Sequence, residues 1–361
     1  MRRTTIIFIV IVGVAAAIAL FARLGPGKVT AVTGLIGSEK APFFANQRVQ
    51  RALARQGLQV TVQRAGSREI ATRTDLKSFD FEFPAGVPGA EKIRRESGAS
   101  KASNVFFTPM VVASWRPIAD LLVQQGIAAN LGSYYSLDMA KFLDLMKAET
   151  RWKDIPGNTA FTANKSVLIT STDVRTSNSA AMYLALMSYV ANGNNIVQGL
   201  DAARPMLPML AGLFLRQGLR PTSTQEPFED YLVQGMGHSP IVIIYEAQYV
   251  AQAARGDGSI RLDMVLMYPT PTIFTKHVLV PFNEKGEKLA AALETDLELQ
   301  KLAVEYGFRN SNLAYFREFT RKHNVALPEN LVDVIEPPSY EVLEGMIQEI
   351  EKLYAQGGGV K

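Results

Sequence analysis

The chain contains no cysteine in 361 residues. That absence excludes disulfides, a thiolate nucleophile, zinc sites built on Cys ligands and a lipid-carrying N-terminal Cys. Histidine is almost as scarce. His238, His277 and His323 lie far apart and form no His-x-x-x-His pair, so no metal centre is readable. A P-loop and a dinucleotide glycine pattern are both missing, and no cofactor is expected. Gly237-His238-Ser239-Pro240 sets a serine beside a histidine, but a nucleophile elbow needs Gly two residues after the Ser, and Ile241 stands there. With a formal charge of +4 and no basic block interleaved with aromatics, the chain lacks the footprint of a nucleic-acid binder.

Long apolar runs are lacking too, with one exception. Residues 6–22 are uncharged and mostly apolar, between Met1-Arg2-Arg3 and Arg23. Seventeen residues is the lower edge of a membrane span and slightly long for a signal-peptide core. Cleavage after Ala22 would put Leu20 and Ala22 at the recognition positions, a poor small-x-small site. An uncleaved signal anchor in the cell membrane is therefore the expectation, with the globular body outside the cytoplasm. The alternative is a secreted or periplasmic product after cleavage. Residues 1–28 are set apart from the fold as anchor and linker.

The composition, 47% hydrophobic and 20% charged, is ordinary for globular material, and the length suits two domains. Strand patterns alternate with helical ones. A strand over 29–36 ends at Gly37-Ser38-Glu39-Lys40, and a helical pattern over 43–56 stops at Gly57. A strand over 58–62 leads to Ala65-Gly66-Ser67-Arg68, and a short one over 79–83 ends at Pro84-Ala85-Gly86. This alternation predicts a parallel sheet with crossovers, whose ligands gather outside the carboxyl ends of the strands. Residues 104–115 form an extended run long enough to pass from one domain into another. Residues 261–268, ending in Pro269-Thr270-Pro271, read as a second crossing. The stretch 240–246 is a buried-strand run that breaks into a helix, and helices are expected over 286–306 and 339–354.

The most telling stretch is 166–192. A β-rich run, Val167-Leu168-Ile169, gives way to polar residues, and Thr176-Ser177-Asn178-Ser179 then opens a long apolar-periodic segment. The expected order is strand, loop and helix. A helix N-terminus presents unpaired N–H groups and the positive end of a dipole, which suits an anion. Ser177, Asn178 or Ser179 would serve equally as an ordinary N-cap.

Taken in order, these segments resemble the landmarks of type 2 periplasmic (extracellular) solute-binding proteins, the receptor components of ABC importers, over residues 29–325. The landmarks are Gly37-Ser38-Glu39-Lys40, Phe107-Thr108-Pro109, Ser177-Asn178-Ser179, Tyr245-Glu246, Tyr268-Pro269-Thr270-Pro271 and Leu299-Gln300-Lys301-Leu302-Ala303 with Gly307-Phe308-Arg309. The Ser-Asn-Ser start and the closing leucine-rich helix are nearest the branch that binds oxyanions such as sulfate, molybdate or phosphate. The resemblance implies an α/β, two-lobed periplasmic-binding-protein-like type II fold with two crossover segments and a hinge. Placed on this chain, lobe one is 29–109 plus 269–325, lobe two is 110–268, and 326–361 is a C-terminal helical extension. It implies a non-enzymatic protein that captures a small polar, anionic ligand for transport or sensing. Its partner would be an ABC permease or a membrane sensor. An enzyme on the same fold and a non-transport stress or envelope receptor stand as alternatives.

The expected cleft residues follow from their chemistry. Ser38, Glu39 and Lys40 offer a hydroxyl, N–H groups and charge after the first strand, and Ser67 and Arg68 follow the second. An arginine pairs bidentately with an oxyanion. Gly86 would let backbone approach a ligand closely, and Thr108 brings a hydroxyl to the lobe junction. Ser177, Asn178 and Ser179 line the helix start. Tyr245 and Glu246 end an apolar strand, where a carboxylate needs a partner, either a ligand cation or an arginine acting as a structural lock. Catalytic and metal-binding residues are not expected.

Overall fold

Alternating apolar and polar residues near the N-terminus fold as a parallel pair, β1 (Thr30–Gly37) with β2 (Leu58–Ala65). The computed structural model describes residues 29–355 apart from 74, 76, 77, 219, 220, 329 and 332. The expected membrane segment 6–22 lies outside the described residues. Among the described residues no helix is long and apolar enough to cross a membrane.

The other strands are β3 (Phe81–Phe83), β4 (Ser103–Trp115), β5 (Ala128–Asn130), β6 (Tyr135–Asp138), β7 (Ile241–Tyr245), β8 (Met264–Thr270), β9 (Thr272–Pro281) and β10 (Val334–Ile335). β1 pairs in parallel with β2 and β3, and β3 lies antiparallel to β9. The first half of β4, up to Pro109, also runs antiparallel to β9. From Met110 onward β4 leaves β9 and runs antiparallel to β7 on one side and to β8 on the other. β8 continues into β6 and the β5–β6 hairpin. One strand thus belongs to two sheets. Pro109, which has no N–H to give a ladder, stands where the partners change. Val105 to Trp115 is almost entirely buried, as expected of a strand covered on both faces.

Both ends of the described chain build the first sheet's surroundings. The helix Gln47–Arg55 meets the helix Leu297–Glu305 through Arg48–Glu305 at 2.6 Å and through Arg55–Glu298. These pairs are exposed and contribute little each. The expected helix over 286–306 is two helices, Glu284–Thr295 and Leu297–Glu305. Asp296 separates them and caps the second by accepting from Glu298 N and Leu299 N at 2.9 Å.

The expected strand at Val167-Leu168-Ile169 does not form. Isolated bridges flank the segment, Ser166 with Arg151 and Thr170 with Val242 of β7. The Gln217 side chain takes the neighbouring backbone groups instead, donating to Ile169 O at 3.0 Å and accepting from Ser171 N at 2.9 Å. An amide side chain here does the work of a ladder.

One buried group on β3 has no such partner. Glu82 is fully buried, and neither carboxylate oxygen is hydrogen-bonded among the described residues. Its register neighbours are Leu35 on β1 and Val280 on β9, which belong to a small apolar cluster with Ile70, Ala90 and Ile93. Burial pushes the Glu82 carboxyl up from 4.5 to about 7, against a weaker downward pull from Arg73. Between those values the native state keeps a proton that the unfolded chain has released. Its stability contribution is therefore full below about pH 4.5 and is lost as pH rises through about 7, by about 3 kcal/mol. His277, lowered from 6.5 to about 4 by burial and the Lys40 charge, acts oppositely: its share is lost as pH falls through that window. The raw profile mixes the two, so the readout is a difference. Urea unfolding should show Glu82→Gln gaining about 3 kcal/mol on the native protein between about pH 4 and about pH 8. A difference that does not change with pH would mean that Glu82 is ionised in the native state.

Candidate functional site

β1 ends at Gly37 and turns at once into a 3-10 segment, Ser38–Lys40. The turn leaves Ser38 exposed, Glu39 half-buried and Lys40 fully buried. A buried ammonium must be paired. Lys40 Nζ bonds the Glu39 carboxylate, lies 3.1 Å from His277 Nδ1 and stands 4.8 Å from the Phe83 ring centroid. Glu39 Oε1 is also 3.2 Å from His277 Nδ1. Burial would raise the Glu39 carboxyl, but Lys40 and His277 together hold it well below the usual carboxylate range. Burial lowers the Lys40 ammonium, and Glu39 offsets part of that. His277 stays neutral at neutral pH, and its buried Nε2 has no hydrogen-bond partner among the described residues.

The facing wall comes from β7 and the helix Asn178–Ala191. The Tyr245 ring centroid is 6.2 Å from that of His277, and its hydroxyl accepts from Asn178 Nδ2 at 3.1 Å. Burial, and next the Glu39 charge, raise the Tyr245 phenol. Gly86, at φ 94°, sits against the Asn178 amide, and a Cβ there would fall 2.6 Å from Asn178 Oδ1. Only glycine satisfies both the conformation and the space. The hydroxyls of Ser177 and Ser179 bond each other at 2.9 Å, and that of Ser179 meets Thr172 Oγ1 at 2.8 Å. Ser177 stands at the N-cap position of the helix but makes no side-chain capping bond. These hydroxyls form a buried chain.

Other expected cleft residues are engaged within the protein. Ser67 Oγ accepts from Ala85 N at 3.0 Å, and Thr108 Oγ1 accepts from Ala247 N at 3.1 Å. Arg68 forks onto Glu344 at 2.9 and 2.5 Å and donates to Arg175 O at 2.5 Å. Glu246, fully buried, receives Arg309 at 2.7 and 2.9 Å and the Tyr268 hydroxyl at 2.6 Å. Of its two sequence readings, ligand cation or arginine lock, the geometry is that of the lock.

Two grooves open beside this cluster. One, about 1010 Å³, is bordered by Ser38, Glu39, Arg64, Ser223, Thr224 and Gln248. The second, about 540 Å³, is bordered by Ser38, Gly66, Arg68, Arg175, Thr176 and Thr222. Each draws on loops from both sheets. Arg64, Thr222, Ser223, Gln248 and His277 are additions that sequence reasoning missed. For Arg64 the signal was present: β2 runs on to Ala65, so Arg64 belongs to a strand's carboxyl end. Thr222-Ser223-Thr224 is a hydroxyl run just before the helix Gln225–Gln234. His238 Nδ1 is 2.9 Å from Ser239 Oγ, yet Ser239 is buried and precedes β7, whose other end carries Tyr245.

No family model matches the sequence, and a search of curated proteins returns no match. Solved structures do match. An ABC transporter solute-binding protein from Thermotoga lettingae, bound with α-D-tagatose, aligns over 92% of this chain and 95% of its own at 12% identity, with a TM-score of 0.57. Iron-bound HitA from Pseudomonas aeruginosa aligns over 91% and 99% at 13% identity and 0.56. The periplasmic binding protein AfuA from Actinobacillus pleuropneumoniae, with fructose 6-phosphate bound, aligns over 91% and 97% at 10% identity and 0.50. The fold is that of two-lobed periplasmic binding proteins. At these identities the likeness extends to the binding-protein fold and no further.

Within that fold the Glu246–Arg309 pair fastens the end of β7 to the segment after the helix Leu297–Glu305. Gly307 permits the approach, since a Cβ there would fall 2.1 Å from Ala247 O. Glu246→Ala would leave the Arg309 guanidinium buried and uncompensated. Urea unfolding should show a loss of about 3–5 kcal/mol, the scale of a broken buried pair. A loss below about 1 kcal/mol would show that water reaches Arg309 and that the pair is not a lock.

Proposed function

We propose that the protein is an extracytoplasmic solute-binding protein that captures a small polar ligand between two lobes. One observation carries the reading: the loops at the carboxyl ends of β1 and β2 face the Thr222–Gln225 loop and Gln248 across grooves whose polar groups are only partly engaged. The proposed lobes are 29–109 plus 269–325 and 110–268. The change of β4 partners at Pro109 and the β8–β9 junction support that division. Binding rather than turnover is proposed because the grooves hold no nucleophile–base pair among the described residues. An ABC permease is the proposed partner, by analogy with the Thermotoga protein, which is the solute-binding component of an ABC transporter. The exported location rests on residues 6–22, retained as an anchor or removed as a signal.

The ligand is proposed to carry an anionic group. Lys40 is neutralised by Glu39 and Arg68 by Glu344, so neither supplies free charge. Arg64 does, because it borders the larger groove and has no ion-pair partner among the described residues. Hydroxyl and amide groups of Ser38, Ser223 and Gln248 would satisfy the neutral part of such a ligand.

A thermal-shift screen of the fragment from about residue 28 over oxyanions, sugar phosphates, sugars, amino acids and polyamines tests both statements. A true ligand at a hundredfold excess over Kd adds about 2.7 kcal/mol, several degrees in Tm. For an anionic hit, Arg64→Ala should weaken binding by about 2 kcal/mol, roughly 30-fold, by calorimetry. Stabilisation by neutral sugars or polyamines alone would overturn the anionic assignment. No stabilisation by any class would overturn solute binding.

A further inference from the structure

The helix Tyr340–Ala355 belongs to neither sheet and touches the surroundings of both. It packs on the helix Val87–Ser97, which lies against β9, and on the helices Asn178–Ala191, Leu200–Ala203 and Leu207–Leu215 from the other half. Leu343, Met346, Ile347 and Ile350 form its buried face. Between the helix and the two halves lies a cavity of only about 40 Å³, lined by Ser67 and Ala85 on one side and by Val174, Ser177 and Asn178 on the other. Leu343, Glu344 and Ile347 of the helix complete its lining. The smaller groove adjoins this cavity, because Arg68 borders both.

The polar contacts of the helix are arranged as a clasp. Arg68, from the first half, is held by Glu344 on the helix and by the Arg175 carbonyl in the second half. Arg175 is locked to Asp173 and stacks on the Tyr354 ring at 4.6 Å from the guanidinium carbon to the centroid. Arg95 pairs with Glu341, and Lys92 lies 5.4 Å from the Tyr340 ring. Each end of the helix is therefore tied to a different half, with one arginine joining all three parts.

We infer that the C-terminal helix is a latch. It holds the two halves together at one end of the cleft, and the cleft widens only when the Arg68–Glu344 contact and the apolar face behind it release. The inference deepens the solute-binding reading, because a latch governs access only if the cleft binds a solute. The mechanism is a shift between closed and open populations, biased by contacts made only in the closed state.

The absence of cysteine makes a direct test clean. Spin labels on cysteines introduced at Arg51 and Val233, both exposed and on helices at opposite sides of the larger groove, read the distance between the halves without any ligand. The otherwise native chain should give one dominant short distance. Glu344→Arg, which sets two cations against each other, should raise the ratio of long to short distances about tenfold, the equivalent of about 1.4 kcal/mol. Adding Arg68→Glu should return the ratio most of the way. An unchanged distance in a folded Glu344→Arg chain would overturn the latch. If that variant fails to fold, hydrogen exchange on the native chain decides. Amides of residues 340–355 should exchange faster than those of β4 and β7 through a partial opening. Exchange of all of them only by global unfolding would overturn the proposal. Because the distances are read without ligand, a failed ligand screen beside a responsive latch would sink the binding reading alone.

Discussion

The buried pair of Glu246 and Arg309 is the constraint on which the rest of the architecture depends. Glu246 follows five consecutive buried residues of β7, a place where an unpaired carboxylate is not tolerated. Arg309 reaches it with two hydrogen bonds, and the Tyr268 hydroxyl from β8 supplies a third. Arg309 is in turn fixed by reciprocal backbone bonds to Phe107 of β4, at 2.9 and 3.0 Å. One ion pair therefore joins β4, β7, β8 and the segment after the last sheet-flanking helices, at the level where β4 exchanges one sheet for the other. The desolvation cost of such a pair is high, so its contribution lies less in net stability than in fixing a single arrangement of the crossing strands. Thr108 reinforces it by accepting from Ala247 N directly after Glu246.

A second consequence concerns charge in the cleft. Lys40, Arg68 and Arg175 each have their own carboxylate: Glu39, Glu344 and Asp173. Such pairing avoids the penalty of holding bare cations in a narrow, poorly hydrated space. It also removes most of the field that an incoming anion would feel. Recognition of the proposed anionic ligand would then rest on directed hydrogen bonds and on Arg64, rather than on a broad positive potential.

Local patterning made most of the architecture legible. The strand at 29–36, the long strand at 104–115, the buried run at 240–246 and the helix at 339–354 differ from the observed elements by at most one residue at either end. Each depends on near neighbours and on its own apolar period. What was not legible depends on distant partners. Lys40 reads as a cleft cation because nothing near it in sequence announces His277, 237 residues on, which β9 places against it. Arg68 read as a ligand contact because nothing near it in sequence announces Glu344, 276 residues away. The strand expected at 167–169 was lost to Gln217, a competitor 48 residues on that no periodicity could reveal. β9 passed unread although Thr272 to Pro281 is rich in β-branched residues, because the proline pair before it has the look of a strand's end.

The division of contacts between the halves shows where the resistance to opening lies. Around the strand ends the halves meet through polar or glycine contacts: Gly86 against the Asn178 amide, and Gly66 near Thr176 O, 3.2 Å from where its Cβ would stand. Separating such surfaces exposes groups that water satisfies as well as the protein does. The C-terminal helix differs, because four large apolar side chains leave water when it seats across both halves. Burial of apolar area is worth about 25 cal/mol per Å², and a fully buried side chain of this size about 1.5–3 kcal/mol. On that accounting the resistance to opening is weighted toward the terminal helix, whose Glu344 holds Arg68 at the edge of the smaller groove. A ligand that touches only the strand-end loops would meet a cleft whose width is set elsewhere. Its affinity would carry the cost of whatever closed fraction the helix fails to maintain.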